Sequence, residues 1–127
     1  MIDHLDHLVL TTAHLEQCID FYTRVLGMQF EEFSPGRRAL KFGEQKINLH
    51  EKGKEFEPKA MVPMPGALDF CLIASVPLDA VIARFKECNV PIIHGPVAKV
   101  GAVYALRSVY VRDPDGNLVE ISERAAA

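Results

Sequence analysis

Apolar residues recur along this chain in two kinds of pattern, and the order of the patterns repeats once. Near the N-terminus, an apolar run rich in β-branched residues covers roughly 5–12, and apolar positions at helical spacing follow it, which predicts a strand and then a helix. The helical positions are Leu15, Ile19, Tyr22 and Leu26. Three further strands are expected at about 28–34, 37–43 and 45–50.

The second half of the chain shows the same succession. An apolar run at roughly 67–74 precedes a helical face marked by Leu78, Ile82 and Phe85, and Pro77 suits the first turn of that helix. Three strands are expected after it, at about 90–98, 103–112 and 117–122. When the stretches that begin at Leu5 and Leu68 are set side by side without gaps, several positions are identical, which indicates an internal repeat.

Each half therefore has the order β-α-β-β-β, and the predicted fold class is α+β, with two βαβββ modules forming a cupped, barrel-like mixed sheet with helices outside. One domain is expected over 1–124, with modules at about 3–51 and 67–124. The polar, proline-rich stretch 52–66 connects them. A single helix covers only one face of a four-stranded sheet. The other, which we call the open face, is predicted to line a pocket for a small molecule.

Strand residues point alternately to opposite faces, so apolar neighbours that pack under the helix turn polar residues to the open face. The side chains predicted there are His7, Asn48, His50, Asp69 and Glu120. Glu120 lies between two apolar residues of a strand, where a carboxylate is costly unless it is paired or coordinated. Imidazole and carboxylate groups together suit one divalent ion of Zn, Ni, Mn, Co or Fe. Alternation also predicts that Arg107 reaches this face and holds an anionic group of the substrate.

The segment Asp113-Pro-Asp-Gly-Asn117 precedes the last predicted strand and is typical of a type I turn. Such a turn fixes the register of the strand that follows it. It therefore fixes the direction in which Glu120 points.

Composition narrows the class of protein. The 127 residues are 49% hydrophobic, which suits a packed globule, and the net charge of −3 gives no reason to expect nucleic acid or a membrane as a partner. Three scattered cysteines indicate a reducing compartment, and the first residues lack the pattern of a signal peptide. We therefore expect a cytoplasmic protein.

Four segments carry a resemblance to a known family: DHLVLTT, FYTRVLGM, KFGEQKINLHEKGKEFEPKA and RDPDGNLVEIS. Together with the two βαβββ modules, these segments resemble the vicinal oxygen chelate superfamily. The resemblance covers about 3–124. That superfamily includes glyoxalases, bleomycin-resistance proteins and extradiol dioxygenases. The third segment looks especially like the subgroup of glyoxalase domain-containing protein 5 and its bacterial relatives.

The resemblance implies a divalent metal held by the first and last strands of each module. By position, His7 and Glu120 fall on two of the four ligand positions. The third falls on Asn48 by register or on His50 by chemistry, and the fourth on Asp69 or Phe70. The expected metal ligands are therefore His7, His50, Asp69 and Glu120, with Asn48 and Arg107 contacting the substrate.

The implied function is a metal-dependent lyase or isomerase of the lactoylglutathione type, in which Glu120 is the catalytic residue and moves a proton. One alternative is an Fe(II) dioxygenase that uses two histidines and one carboxylate, supplied by His7, His50 and Glu120. The other is a metal-free protein that binds a small molecule such as an antibiotic. The resemblance also implies a homodimer.

Overall fold

The computed structural model describes residues 1–125 and confirms the α+β class, with β-α-β-β-β order in each half. The first half contains β1 (His7–Thr12), α1 (Leu15–Asp20) with a π-helical continuation (Phe21–Val25), β2 (Gln29–Ser34), β3 (Arg37–Phe42) and β4 (Gln45–Glu51). The second half contains β5 (Asp69–Ile73), α2 (Leu78–Glu87), β6 (His94–Val100), β7 (Ala105–Arg112) and β8 (Leu118–Arg124).

The strands form two mixed sheets of the same design. Their orders are β1-β4-β3-β2 and β5-β8-β7-β6. In each sheet the first and last strands of the module pair in parallel, and all other pairs are antiparallel. The chain divides into two compact units. The first contains residues 1–67 and 114–116, and the second contains 68–113 and the residues from 117 onward.

In the first unit, the helix buries a face that differs in part from the predicted one. Tyr22 is fully buried as expected, but the other buried positions are Cys18, Phe21 and Val25. These positions keep helical spacing, so the buried face lies about one residue earlier along the helix than the predicted face. Gly27 ends the helix with φ +77, a backbone conformation that glycine adopts readily. In the second unit, the core side chains of α2 are Leu78, Val81 and Phe85.

The predicted turn before β8 is held by buried polar groups. The Asp113 carboxylate accepts hydrogen bonds from the backbone N–H of Asn117 at 3.0 Å and from its Nδ2 at 2.7 Å. The Asn117 side-chain oxygen in turn accepts the Leu68 N–H at 2.8 Å. Asn117 therefore ties the turn to the residue that precedes β5, and this sets the register of β8 beside β5.

The middle of the same segment belongs to the first unit. The Asp115 carboxylate accepts hydrogen bonds from the Thr12 hydroxyl at 2.5 Å and from the Ala13 N–H at 2.8 Å. These bonds fix the connection between β1 and α1. Among residues 1–125, none of the helices is both long enough and apolar enough to cross a membrane.

Candidate functional site

The pairing of β1 with β4 positions three of the predicted side chains of the first unit. His7 lies opposite Lys46, and Asn48 lies two residues beyond Lys46 on the same face. His50 lies four residues beyond Lys46, so the two residues are about 13 Å apart along β4. His7 and Asn48 are therefore diagonal neighbours, whereas the register does not bring His7 and His50 together around one ion.

The pairing of β5 with β8 repeats this geometry in the second unit. Asp69 lies opposite Leu118, and Glu120 lies two residues beyond Leu118 on the same face. By register, Asp69 is thus the counterpart of His7, and Glu120 is the counterpart of Asn48. Phe70 points to the opposite face. Strand pairing therefore favours Asp69 over Phe70 at the fourth predicted ligand position.

Glu120 lies half-buried on the open face of the second sheet, among groups that hydrogen-bond to it. The Ser122 hydroxyl donates to its Oε2 at 3.3 Å. Tyr110 lies directly opposite Glu120 on β7. Burial, followed by the hydrogen bond to Glu120 and the charge of its carboxylate, raises the pKa of Tyr110 to about 12. The phenol is therefore protonated at neutral pH and serves as a donor to Glu120.

Glu120 also lines a pocket of about 420 Å³ that lies within the second unit. Other lining residues are Cys71, Ile73, Tyr104, Leu106 and Arg124, together with the segment 100–103. The segment turns tightly at Gly101, where a Cβ atom would lie 2.6 Å from the Tyr104 carbonyl oxygen. Most of the lining is apolar, and the pocket is open to solvent on the side of Val100 and Val103.

Cys71 lies opposite Glu120 in the parallel pair. Burial raises the pKa of the Cys71 thiol and the charge of Glu120 raises it further, although a hydrogen bond with Ser122 opposes both effects. The thiol is therefore protonated at neutral pH. This agrees with a lining role rather than that of a nucleophile.

Arg107 corrects an expectation from the sequence. It lies opposite Glu123 on β8, and its guanidinium contacts the carboxylates of Glu123 at 3.2 Å and of Asp79 on α2 at 3.3 Å. These contacts place it on the face covered by the helix rather than on the open face. Its ion pairs link α2 to the sheet, and the structure gives it no place beside Glu120.

Asn48 and His50 are both buried on the open face of the first sheet, with 8% and 5% of their surface exposed. Among the described residues, Asn48 Oδ1 accepts no hydrogen bond. Burial lowers the pKa of His50, and the charge of Arg37 lowers it further, with partial opposition from Glu55. His50 is therefore neutral at neutral pH.

The potential metal donors are divided between the units as pairs. The first unit has an imidazole and an amide oxygen in His7 and Asn48, and the second has two carboxylates in Asp69 and Glu120. Among residues 1–125, no three side chains of His, Cys, Asp or Glu form a group suited to a metal ion. The prediction that His7, His50, Asp69 and Glu120 bind one ion stays a prediction.

Sequence reasoning missed some groups around these positions. Tyr110 was missed, although alternation on β7 would have placed it opposite Glu120. The partners of His50 were missed as well. Phe56 packs edge-on against the His50 ring with the ring centroids 5.9 Å apart, and it comes from the connecting stretch, where no periodic pattern assigns a direction.

Comparisons with known proteins agree with this architecture. The family described as Glyoxalase/Bleomycin resistance protein/Dioxygenase superfamily matches residues 4–121. A glyoxalase domain-containing protein, RDO1, of Mycosarcoma maydis is 52% identical over 118 residues, which are 93% of this chain and 66% of that protein. The chain thus spans just under two thirds of the length of this relative.

Two solved structures are similar as well. The crystal structure of virulence protein STM3117 from Salmonella typhimurium has a TM-score of 0.96 and 47% identity, covering 98% of this chain and 99% of that one. The crystal structure of lactoylglutathione lyase from Agrobacterium tumefaciens has a TM-score of 0.73 and 25% identity, covering 97% and 95%. This chain therefore belongs to the Glyoxalase/Bleomycin resistance protein/Dioxygenase superfamily.

Proposed function

We propose that this protein is a glyoxalase-like lyase or isomerase that moves a proton on a carbon next to a carbonyl group of a small, oxygen-chelating substrate. The supporting observation is the position of Glu120, half-buried in a largely apolar pocket of about 420 Å³. The similarity to a lactoylglutathione lyase at 25% identity adds support. A carboxylate in such surroundings is suited to general acid–base catalysis.

In this proposal, Glu120 takes the proton from the substrate carbon and returns it to the neighbouring carbon. The Ser122 hydroxyl and the neutral Tyr110 phenol hold the carboxylate in place. Ile73 and Leu106 provide apolar surface beside the carboxylate for the carbon chain of the substrate. The net reaction is an isomerisation, because the proton and the electron pair both stay within the substrate.

We propose one divalent ion of Zn, Ni, Mn, Co or Fe as the cofactor. One observation fits a cation: the carboxylates of Asp69 and Glu120 share the open face of the second unit. These two residues are proposed to contribute ligands. When bound, such an ion would polarise the carbonyl oxygen of the substrate as a Lewis acid.

Metal analysis of the purified protein tests the cofactor. We expect tight binding of about one divalent ion per chain, as a metalloenzyme of this type requires. Binding should be lost in Glu120→Gln and weakened at least tenfold in Asp69→Asn. Glu123→Gln is the matched control and should retain the ion, because Glu123 lies on the opposite face of β8, where it pairs with Arg107 at 3.2 Å. Absence of metal affinity in the unmodified protein would contradict the proposal.

Turnover is tested with the metal-loaded protein and a panel of small α-dicarbonyl compounds combined with thiols. Formation of the isomerised thioester would support the lyase.

A second candidate function is binding of a small molecule without turnover, which the predominantly apolar lining of the pocket favours. Saturable binding of such a compound with no product would select that function. The dioxygenase alternative has less support, because the strand register separates His7 from His50.

We also propose that the protein is a homodimer. Apolar side chains are exposed on the open faces of both units, with Val9 at 42% and Ile73 at 52% exposure, and Val100 is 95% exposed. Association removes such surface from water. Light scattering coupled to gel filtration should give the mass of two chains, and a mass of one chain at micromolar concentration would contradict this.

A further inference from the structure

Arg124 lines the Glu120 pocket and is held there by an aromatic ring. It lies on β8 four residues beyond Glu120 and on the same face, and both residues line the pocket of about 420 Å³. The Arg124 Cζ atom lies 4.3 Å from the ring centroid of Tyr104, which lines the same pocket. Such a contact holds the guanidinium beside the ring. The pocket therefore presents a carboxylate and a cation that are separated along β8.

The N–H groups of Arg124 remain available to a ligand. Among residues 1–125, no carboxylate oxygen lies within 4.0 Å of its guanidinium. Arg107 shows the contrast, since it lies on the opposite face of the same sheet and contacts Glu123 at 3.2 Å and Asp79 at 3.3 Å. A ring beside one face of a guanidinium leaves the N–H groups at its edge unoccupied, and two of these match the two oxygens of a carboxylate.

The surface between these two charged groups is apolar. Ile73, Val103 and Leu106 line the pocket, and Leu106 lies directly opposite Arg124 on β7. The carboxylate of a ligand would be attracted by Arg124 and repelled by Glu120, so the other end of the ligand would turn towards Glu120. Hydrocarbon between the two ends would pack against the apolar side chains.

We propose that Arg124 selects substrates that carry a carboxylate on a hydrocarbon chain, at a fixed distance from the reacting carbon. The four residues from Glu120 to Arg124 span about 13 Å along β8. Contacts of about 3 Å at each end leave about 7 Å for the substrate, the length of roughly five or six carbon–carbon bonds. The proposal rests on the proposed function, because it takes the Glu120 pocket as the substrate site, and it adds the class of substrate.

Methyl ketones with a carboxylate at increasing distance test the charge and the spacing: 4-oxopentanoate, 6-oxoheptanoate and 8-oxononanoate. We expect calorimetry on the full chain to show the tightest binding for 6-oxoheptanoate and at least threefold weaker binding for the other two. The neutral methyl ester of 6-oxoheptanoate should bind at least tenfold more weakly, because it cannot accept charge-assisted hydrogen bonds. Arg124→Gln should lower the affinity for 6-oxoheptanoate to that of the ester and leave the ester unchanged.

Arg107→Gln is the matched control, because it removes the same charge from the opposite face of the sheet. It should bind all four compounds as the unmodified protein does, and thermal melts show whether each variant is folded. The proposal is overturned if the ester binds as tightly as the acid, or if Arg107→Gln loses as much affinity as Arg124→Gln. It is equally overturned if 4-oxopentanoate binds best, or if inorganic phosphate displaces 6-oxoheptanoate at equal concentration.

Turnover is measured separately, with the metal-loaded protein and α-dicarbonyl compounds that carry a carboxylate at these distances. Selective binding of 6-oxoheptanoate without turnover of any such compound would contradict the proposed function and support the role of Arg124, because binding requires no proton transfer. Turnover that is indifferent to the carboxylate and unchanged in Arg124→Gln would support the proposed function and overturn the role of Arg124.

Discussion

Replacing Glu120 with glutamine should lower turnover by a factor of about 10² to 10⁴, because the amide cannot accept the substrate proton. The change preserves shape and keeps an acceptor for the Ser122 hydroxyl, which lies 3.3 Å from Oε2. We therefore expect folding to be intact. Steady-state kinetics over a range of metal concentrations gives the comparison, so that a loss of metal and a loss of proton transfer can be told apart.

The same strand provides the control. Glu123 lies on the opposite face of β8, where it accepts the Leu78 N–H at 3.0 Å and pairs with Arg107 at 3.2 Å. Glu123→Gln removes a carboxylate of equal size from the neighbourhood of α2 and should leave turnover per folded molecule within about twofold, since surface pairs of this kind contribute little. Equal losses in both variants would argue that Glu120 acts through folding rather than through chemistry.

Replacing Asn117 with alanine should have the largest effect on stability. Its side chain donates to the buried Asp113 carboxylate and accepts the Leu68 N–H, and the residue is 1% exposed. Alanine takes the acceptor away from the Leu68 N–H and one donor away from the Asp113 carboxylate. We therefore expect the free energy of unfolding to fall by about 2–4 kcal/mol. The chain contains no tryptophan, so urea unfolding is best followed by far-UV circular dichroism.

Glu44→Ala is the control for this measurement. Glu44 lies exposed in the turn between β3 and β4, where it has no buried role, and a change there should alter stability by no more than about 0.5 kcal/mol. A similar small change for Asn117→Ala would mean that the turn before β8 adjusts without its buried hydrogen bonds. In that case the register of β8 would have to be set elsewhere.

Much of the fold could be predicted because alternation and helical spacing are local properties of the chain. Alternation predicted His7 and Glu120 on the open faces, and strand pairing puts Asp69 in register with His7 of the other sheet. Prediction from alternation failed for Arg107. The face of a residue on β7 depends on the register of β7 against β8, and the loop between the two strands determines that register.

The cluster of cations and aromatic rings formed by Phe33, Arg37, Lys46 and Phe56 could not have been found from the sequence. Its members come from β2, β3, β4 and the connecting stretch, and they meet only when the sheet is formed. Arginine and phenylalanine are common at exposed positions, so no spacing singles out Arg37 or Phe56. The orphaned oxygen of Asn48 is visible only as a property of the folded chain.

The two sheets carry different charges at equivalent positions, so the effect of salt on anion binding should differ between them. The chain as a whole carries a net charge of −3, and a uniform charge of that sign would repel anions more weakly as salt is added. The position equivalent to acidic Glu120 holds uncharged Asn48 in the first sheet. Added salt should therefore relieve the repulsion of an anion more on the open face of the second sheet than on that of the first.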